Sequence, residues 1–187
     1  MQFTNEQKLI AAMLAEVHQT LKIRDGVNSE LVAKALFSGN EWAIEWEHGF
    51  LLDQNESPPH VKHVVDVLDM WSFIESAYGA LKDADKKRFA DGANFNGKPS
   101  FPGFDGNNEA EYLSAARFMI EEMRRFGSFK GRADLNSHHP TLDTSKRMLE
   151  VFLPIRASLG VAGRPLMSAD DLIAVFHARK HPGNRAA

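Results

Sequence analysis

The stretch SPPHVKHVVDVLDMWSFIESAYGAL, residues 57–81, decides the fold class. Ser57 followed by Pro58 is typical of a helix start, because serine can cap free backbone amides and proline fits the first helical turn. Apolar residues then recur every three to four positions, at Val61, Val64, Val65, Leu68, Trp71, Ile74, Tyr78 and Leu81. This period predicts a helix that runs to about residue 82 with one apolar face, which other helices must cover.

Toward the N-terminus the same period predicts three helices. Thr4 and Gln7 have the spacing of a capping box, in which each side chain satisfies a backbone amide of the other residue. The helix that they open has one apolar face, made of Ile10, Met13, Leu14, Val17 and Leu21. A cap at position 28 or 29 predicts a second helix, and Asn40 can cap a third that runs from Glu41 to about Phe50.

Toward the C-terminus the pattern predicts further helices. A short basic helix follows Asp83, another runs from a cap at position 107 or 108 to about Phe126, and a third begins at Asp143. Pro154 is expected to end or kink this third helix, because proline removes an amide donor and clashes with the preceding turn.

Two long loops cover residues 91–107 and 127–141, and a last helix follows Ser168. The first loop carries three phenylalanines that need burial and are expected to pack back on the helices: Phe95, Phe101 and Phe104. The sequence therefore predicts an all-α fold, an irregular multi-helix bundle of about seven or eight helices with two long loops. We expect a single helical domain over residues 1–180 and a frayed tail over residues 181–187.

Composition narrows the function classes. The 187 residues include no cysteine, which excludes a disulfide framework and a thiolate metal site and agrees with a cytoplasmic location. No stretch approaches the roughly 18 apolar residues that span a bilayer, so we expect no membrane association. The net charge of −3, and the glutamates of the third helix that phosphate would repel, argue against DNA binding. We expect no cofactor and no dedicated metal site.

Basic side chains are concentrated in residues 117–132, which hold five basic and two acidic residues. Such a patch can meet phosphate, or it is a solvated helix face on which Glu121 pairs with Arg125. Arg132 and His138 are separated by five residues, as in helical ribonucleases of the HEPN class. There the arginine positions phosphate and the histidine moves a proton. A metal-independent HEPN-like ribonuclease with RNA as its partner is therefore one hypothesis.

One block of sequence indicates a family. It comprises Gly103-Phe104-Asp105, Glu109-Ala110-x-Tyr112-Leu113 and Arg117-Phe118-Met119. With this block, and with agreeing segments along nearly the whole chain apart from the C-terminal tail, the sequence resembles the YfbU-like family of uncharacterised bacterial proteins. The resemblance implies a helical cytoplasmic protein. It implies no activity and therefore brings no catalytic residues.

The polar residues of this block, Asp105, Glu109, Tyr112 and Arg117, have two interpretations. In the structural one, Asp105 bonds its own downstream backbone, and Glu109 lies in a first helical turn, where the helix dipole favours acid. In the functional one, the four side chains line a polar pocket.

The long helix offers a second group of polar residues. His60, His63, Asp66 and Asp69 follow each other at i+3 spacing, which can bring imidazole and carboxylate to a divalent metal or leave them on a wetted helix face. With Arg117 from the family block, the two aspartates form a further hypothesis, a small-molecule or metal site at Asp66, Asp69 and Arg117.

An aromatic stripe suggests association. Trp42, Trp46 and Phe50 recur at i, i+4 and i+8, which is typical of a buried core face and also of an interface with a partner or a second copy. The sequence favours a non-enzymatic protein that acts through self-association, as a homo-oligomer, or through a protein partner. This hypothesis predicts an exposed apolar or aromatic patch of several hundred Å².

Overall fold

The structure is a computed structural model that describes residues 3–52, 56–132, 134–161 and 163–180. Eight α-helices lie within these ranges: α1 (Asn5–Thr20), α2 (Ser29–Ser38), α3 (Trp42–Glu47), α4 (Pro59–Ala80), α5 (Asp83–Ala93), α6 (Ala110–Arg117), α7 (Leu142–Val161) and α8 (Ala169–His177). Phe118–Glu122 forms a π-helical turn, Gly127–Phe129 forms a 3-10 turn, and an isolated β-bridge joins Phe104 to Asn136. The predicted all-α fold of about seven or eight helices with two long loops is confirmed.

Contacts within the chain divide it into two compact units. The first unit comprises residues 1–62 and 114–133, and the second comprises residues 63–113 and 134–187. The boundaries fall inside α4 and inside α6. One domain over residues 1–180 stays a prediction, and the predicted frayed tail lies outside the described residues.

The first unit is built on small side chains of α1 and larger ones of α2, α3 and the π-turn. The capping box of α1 is present as predicted, with Thr4 and Gln7 each accepting the other's amide. Asn28 caps α2 through the amide of Leu31. The core holds Ala12 and Ala15 of α1 and, from the other elements, Leu31, Ala35, Leu36, Trp42, Ile44, Phe118, Met119 and Ile120.

The third predicted helix is shorter than expected and begins differently. It ends at Glu47 rather than near Phe50, and Glu41 precedes it without a side-chain cap. Asn40 does not cap it, because the Asn40 amide is buried and needs partners of its own. Its nitrogen donates to Ser38 and to the Ser114 hydroxyl, and its oxygen accepts the Trp42 indole N–H.

Two further boundaries correct the predictions. The helix expected to reach Phe126 ends its α-helical part at Arg117 and widens into the π-turn, and Phe126 itself has a left-handed φ of +51°. Pro154 does not end its helix, because α7 continues to Val161. A single proline removes one amide donor, and the turns on either side of it keep theirs.

The second unit has an aromatic core between α4, α5, α8 and the loop after α5. Phe89, Phe95 and Phe176 pack edge to face, with ring centroids 5.0–6.2 Å apart. Phe101 bridges Trp71 and Phe104. The prediction that the loop phenylalanines pack back on the helices is confirmed. The capping box at Ser168 and Asp171 begins α8 as expected.

Candidate functional site

Among the described residues, exposed large apolar side chains are concentrated on one face, formed by α1 and its C-cap residue. Its members are each 54–66% exposed: Leu9, Ile10, Met13, Leu14, Val17 and Leu21. The buried side of the same helix is made of small residues, Ala12 and Ala15. Burial in a globular fold normally favours the large apolar residues over the small ones. α1 has the opposite arrangement, with its small face on its own chain and its large face in solvent.

The aromatic stripe Trp42, Trp46 and Phe50 separates in the structure. Trp42 is buried against Phe118, whereas Phe50 lies beyond the end of α3 and is 75% exposed. Trp46 is half-buried, and its indole N–H donates to the Ser57 hydroxyl at 2.9 Å. The three residues therefore do not form one surface, and their role as an interface stays a prediction.

Glu109 is the most heavily bonded side chain of the family block. Its buried carboxylate accepts the amides of Asp105 (3.0 Å), Thr141 (2.5 Å) and Leu142 (2.9 Å), and also the Thr141 hydroxyl (2.7 Å). Burial by itself would raise the pKa of Glu109, but these hydrogen bonds outweigh it and leave the pKa below its ordinary value. The carboxylate therefore joins the start of α6 to the first amides of α7.

The other residues of the block have separate surroundings. Asp105 is buried and accepts the Asn107 amide, as the structural interpretation expected, and the side chain of Asn108. These bonds lower the pKa of Asp105. Tyr112 packs against Phe104 and edge-on to His63, and burial raises its pKa. Arg117 is exposed and belongs to the first unit.

The histidines and aspartates of α4 do not converge on one point. His63 shares a 3.0 Å hydrogen bond with the Ser145 hydroxyl, and burial followed by the charge of Lys146 lowers its pKa. Asp69 accepts from Arg156 at 3.2 Å. Within the described residues, no three His, Asp or Glu side chains are grouped as a metal ion requires. The site at Asp66, Asp69 and Arg117 stays a hypothesis.

Several side chains of the basic segment 117–132 make contacts within the first unit. Arg125 lies over the Trp46 ring and Arg132 over the Phe129 ring, while Glu121 accepts the Gly131 amide instead of pairing with Arg125. Arg132 belongs to the first unit and His138, which has a φ of +55°, to the second. The ribonuclease hypothesis stays a prediction.

A cleft of about 400 Å³ opens within the second unit. Sequence reasoning missed it, because its walls come from α4, α7, α8 and the loop after α5. Its most prominent lining residues are Trp71, Phe95, Phe101, Thr144, Phe176 and Arg179. One usable signal existed in the sequence: Arg179 follows Phe176 by three residues, a spacing that brings two side chains together on a helix.

Two comparisons with known proteins found similar sequences. A model of the YfbU domain matches residues 1–164 of the chain. The chain is also similar to the UPF0304 protein MJECS11 of Methanocaldococcus jannaschii, with 26% identity over 150 residues that cover 78% of this chain and 86% of that protein.

Proposed function

The chain belongs to the YfbU domain family. We propose that it is a non-enzymatic cytoplasmic protein that works through self-association along the exposed face of α1. Membership brings no activity with it, so the proposal rests on the surface of the molecule. The observation that carries it is the inverted burial of α1, in which six large apolar side chains face water and two alanines face the core.

The size of the face fits a dimer. Six side chains of this kind, each more than half exposed, present on the order of 600 Å² of apolar surface, which is at the upper end of the roughly 300–600 Å² of a typical monomer's largest patch. A standard interface buries about 800 Å² per partner, of which the rim is polar. The apolar face of α1 therefore supplies the centre of such an interface, and flanking polar residues supply its rim.

The pattern of the face is self-complementary. Ile10 and Val17 lie at equal distances on either side of the midpoint between Met13 and Leu14. An antiparallel pair related by a two-fold axis at this midpoint places Ile10 of each copy beside Val17 of the other. It also places the acidic first turn, with Glu6, beside the basic last turn, and opposes the two helix dipoles.

A second copy fits this face better than a lipid surface does. Helices that lie in a membrane interface carry Lys and Arg along their polar side, which attracts anionic headgroups. α1 carries one lysine, Lys8, against Glu6 and Glu16, and Lys8 is paired with Glu41 at 2.5 Å. Among the residues that the structure describes, no helix has the length and apolar character needed to cross a bilayer.

The test is the mass of the full chain in solution. Sedimentation equilibrium between about 1 and 200 µM should give a dimer of the 20.9 kDa chain. Met13→Glu should weaken association by about 100-fold or more, because it buries two unpaired carboxylates near the two-fold axis. Leu153→Glu is the matched control, since Leu153 is an exposed apolar residue of the second unit. It should leave the dimer intact.

The antiparallel orientation of the two α1 helices can be tested separately by disulfide cross-linking, because the chain lacks cysteine. Ile10→Cys and Val17→Cys proteins, mixed and oxidised, should form the mixed 10–17 disulfide in preference to either symmetric one. A wild-type chain that sediments as a monomer at 200 µM would refute the proposal. An unchanged mass for a correctly folded Met13→Glu protein would do so as well.

A further inference from the structure

The cleft of the second unit contains an arginine, Arg179, whose charge has no acidic neighbour among the residues that the structure describes. The Arg179 guanidinium lies 5.1 Å from the ring centroid of Phe95 and 5.3 Å from that of Phe176. Across the described parts of the chain, no carboxylate and no hydrogen-bond acceptor partners this guanidinium. Arg179 is exposed, but the rings partly desolvate its guanidinium and lower its pKa, and no acidic group of the described residues offsets that effect. The side chain nevertheless stays charged near neutral pH.

Arg156 is a comparable arginine of the same unit. The Arg156 guanidinium also lies over an aromatic ring, with its carbon 4.3 Å from the centroid of Phe73. Unlike Arg179, it has a carboxylate partner, because its Nε donates to Asp69 at 3.2 Å. Both side chains place the guanidinium carbon over an aromatic ring. Of the two, only Arg156 pairs with a carboxylate of the described residues.

The class of ligand that the cleft can bind follows from the N–H donors of Arg179. The two rings supply no oxygen acceptor, so they leave the guanidinium N–H donors able to pair with two oxygens of a carboxylate or phosphate. Thr144 adds a hydroxyl that accepts from Arg147 at 3.2 Å and retains its own hydrogen to donate. Trp71, Phe101 and Met148 line the rest of the cleft with apolar surface.

We propose that this cleft binds a small organic anion, with Arg179 holding its carboxylate or phosphate and the aromatic walls holding a flat ring. The volume of about 400 Å³ lies within the range of about 300–1,000 Å³ that is typical of small-molecule sites. The site is separate from the α1 face in sequence and belongs to the other unit. It therefore stands whether or not the chain dimerises.

The test is a titration of the isotopically labelled full chain, followed by amide chemical shifts. Three probes share one ring and differ in charge: 2-naphthoate, 2-naphthyl phosphate and the neutral 2-naphthalenemethanol. We expect saturable shifts at Thr144 and Phe95 with at least one anion, and at least about tenfold weaker binding of the neutral alcohol. If only one of the two anions binds, that result supports the site and identifies its preferred group.

Substitutions decide whether Arg179 is responsible. Arg179→Gln should reduce affinity for the anionic probe by about tenfold or more and leave the neutral probe unchanged, whereas Arg156→Gln should change neither. Both arginines are exposed residues, so both variants are expected to fold. Repeating the titration in Met13→Glu removes any contribution from probe bound to α1. Equal binding of anion and alcohol, equal binding by Arg179→Gln, or no saturation by about 5 mM in the wild type would overturn the proposal.

Discussion

Replacing Glu109 by Gln changes the charge of the most connected buried side chain while keeping its shape. The carboxylate has two pairs of donors: one oxygen accepts the amides of Thr141 and Leu142, and the other accepts the Asp105 amide and the Thr141 hydroxyl. A glutamine has one oxygen and one NH₂ group, so one pair of donors must face an N–H instead of an acceptor.

The structure indicates which orientation of the amide costs less. If the NH₂ group faces the two backbone amides, both lose their acceptor. If it faces the other pair, the Thr141 hydroxyl can rotate and accept from it, and only the Asp105 amide is left unsatisfied. One buried orphan donor costs about 1–3 kcal/mol, and the weaker neutral bonds cost about 1 kcal/mol more. We therefore expect Glu109→Gln to lower the free energy of unfolding by about 2–4 kcal/mol.

Urea unfolding at neutral pH, followed by circular dichroism, measures this difference. Glu150→Gln is the control, because Glu150 is exposed on α7 and should change the free energy by less than about 0.5 kcal/mol. The lowered pKa of Glu109 adds a pH signature. Its stabilisation is complete above the ordinary pKa of 4.5 and is lost as the pH falls through the folded value. A Glu109→Gln protein as stable as the wild type, or equally sensitive to acid, would refute this reasoning.

Substitutions at three other residues have specific expected effects on stability. Because burial lowers the pKa of His63 below 6.5, the free energy of unfolding should decrease as the pH falls from 6.5 toward the folded pKa, and His63→Gln should flatten that part of a urea-melt pH profile. Gly103→Ala should destabilise by more than about 2 kcal/mol in a thermal melt, since φ is +89° and a Cβ would collide with the Leu135 carbonyl. Gly79→Ala, at an open position in α4, should instead stabilise by about 0.5–1 kcal/mol, and a loss there would contradict this reasoning.

Local signals in the sequence were enough for the helices and several of their caps. The capping boxes at Thr4 and Ser168 depend on residues three apart, so the sequence predicts them without any tertiary contact. The misassigned boundaries have a different origin. Asparagine is a common helix-capping residue, but the Asn40 side chain donates instead to Ser114, 74 residues away.

The candidate sites were harder to predict because long-range contacts make them. The sequence predicts Glu109 in a first helical turn, yet three of its four hydrogen bonds reach residues 32 or 33 positions away. No spacing rule connects such residues. Arg179 and Thr144 meet at the cleft for the same reason, since α7 and the end of α8 bring them there from separate segments.

The α1 face shows a physical limit on what can be predicted from sequence. Apolar periodicity states which residues share a face, but the same period describes a face turned to the core and one turned to a partner. The two helices α1 and α4 differ in which residues the fold buries, and the buried residues of α1 are Ala12 and Ala15. Covering on the order of 600 Å² at about 25 cal/mol per Å² corresponds to roughly 15 kcal/mol of transfer free energy before the costs of association. Folding of a single copy leaves this surface in water, and under the proposed function a second α1 would cover it.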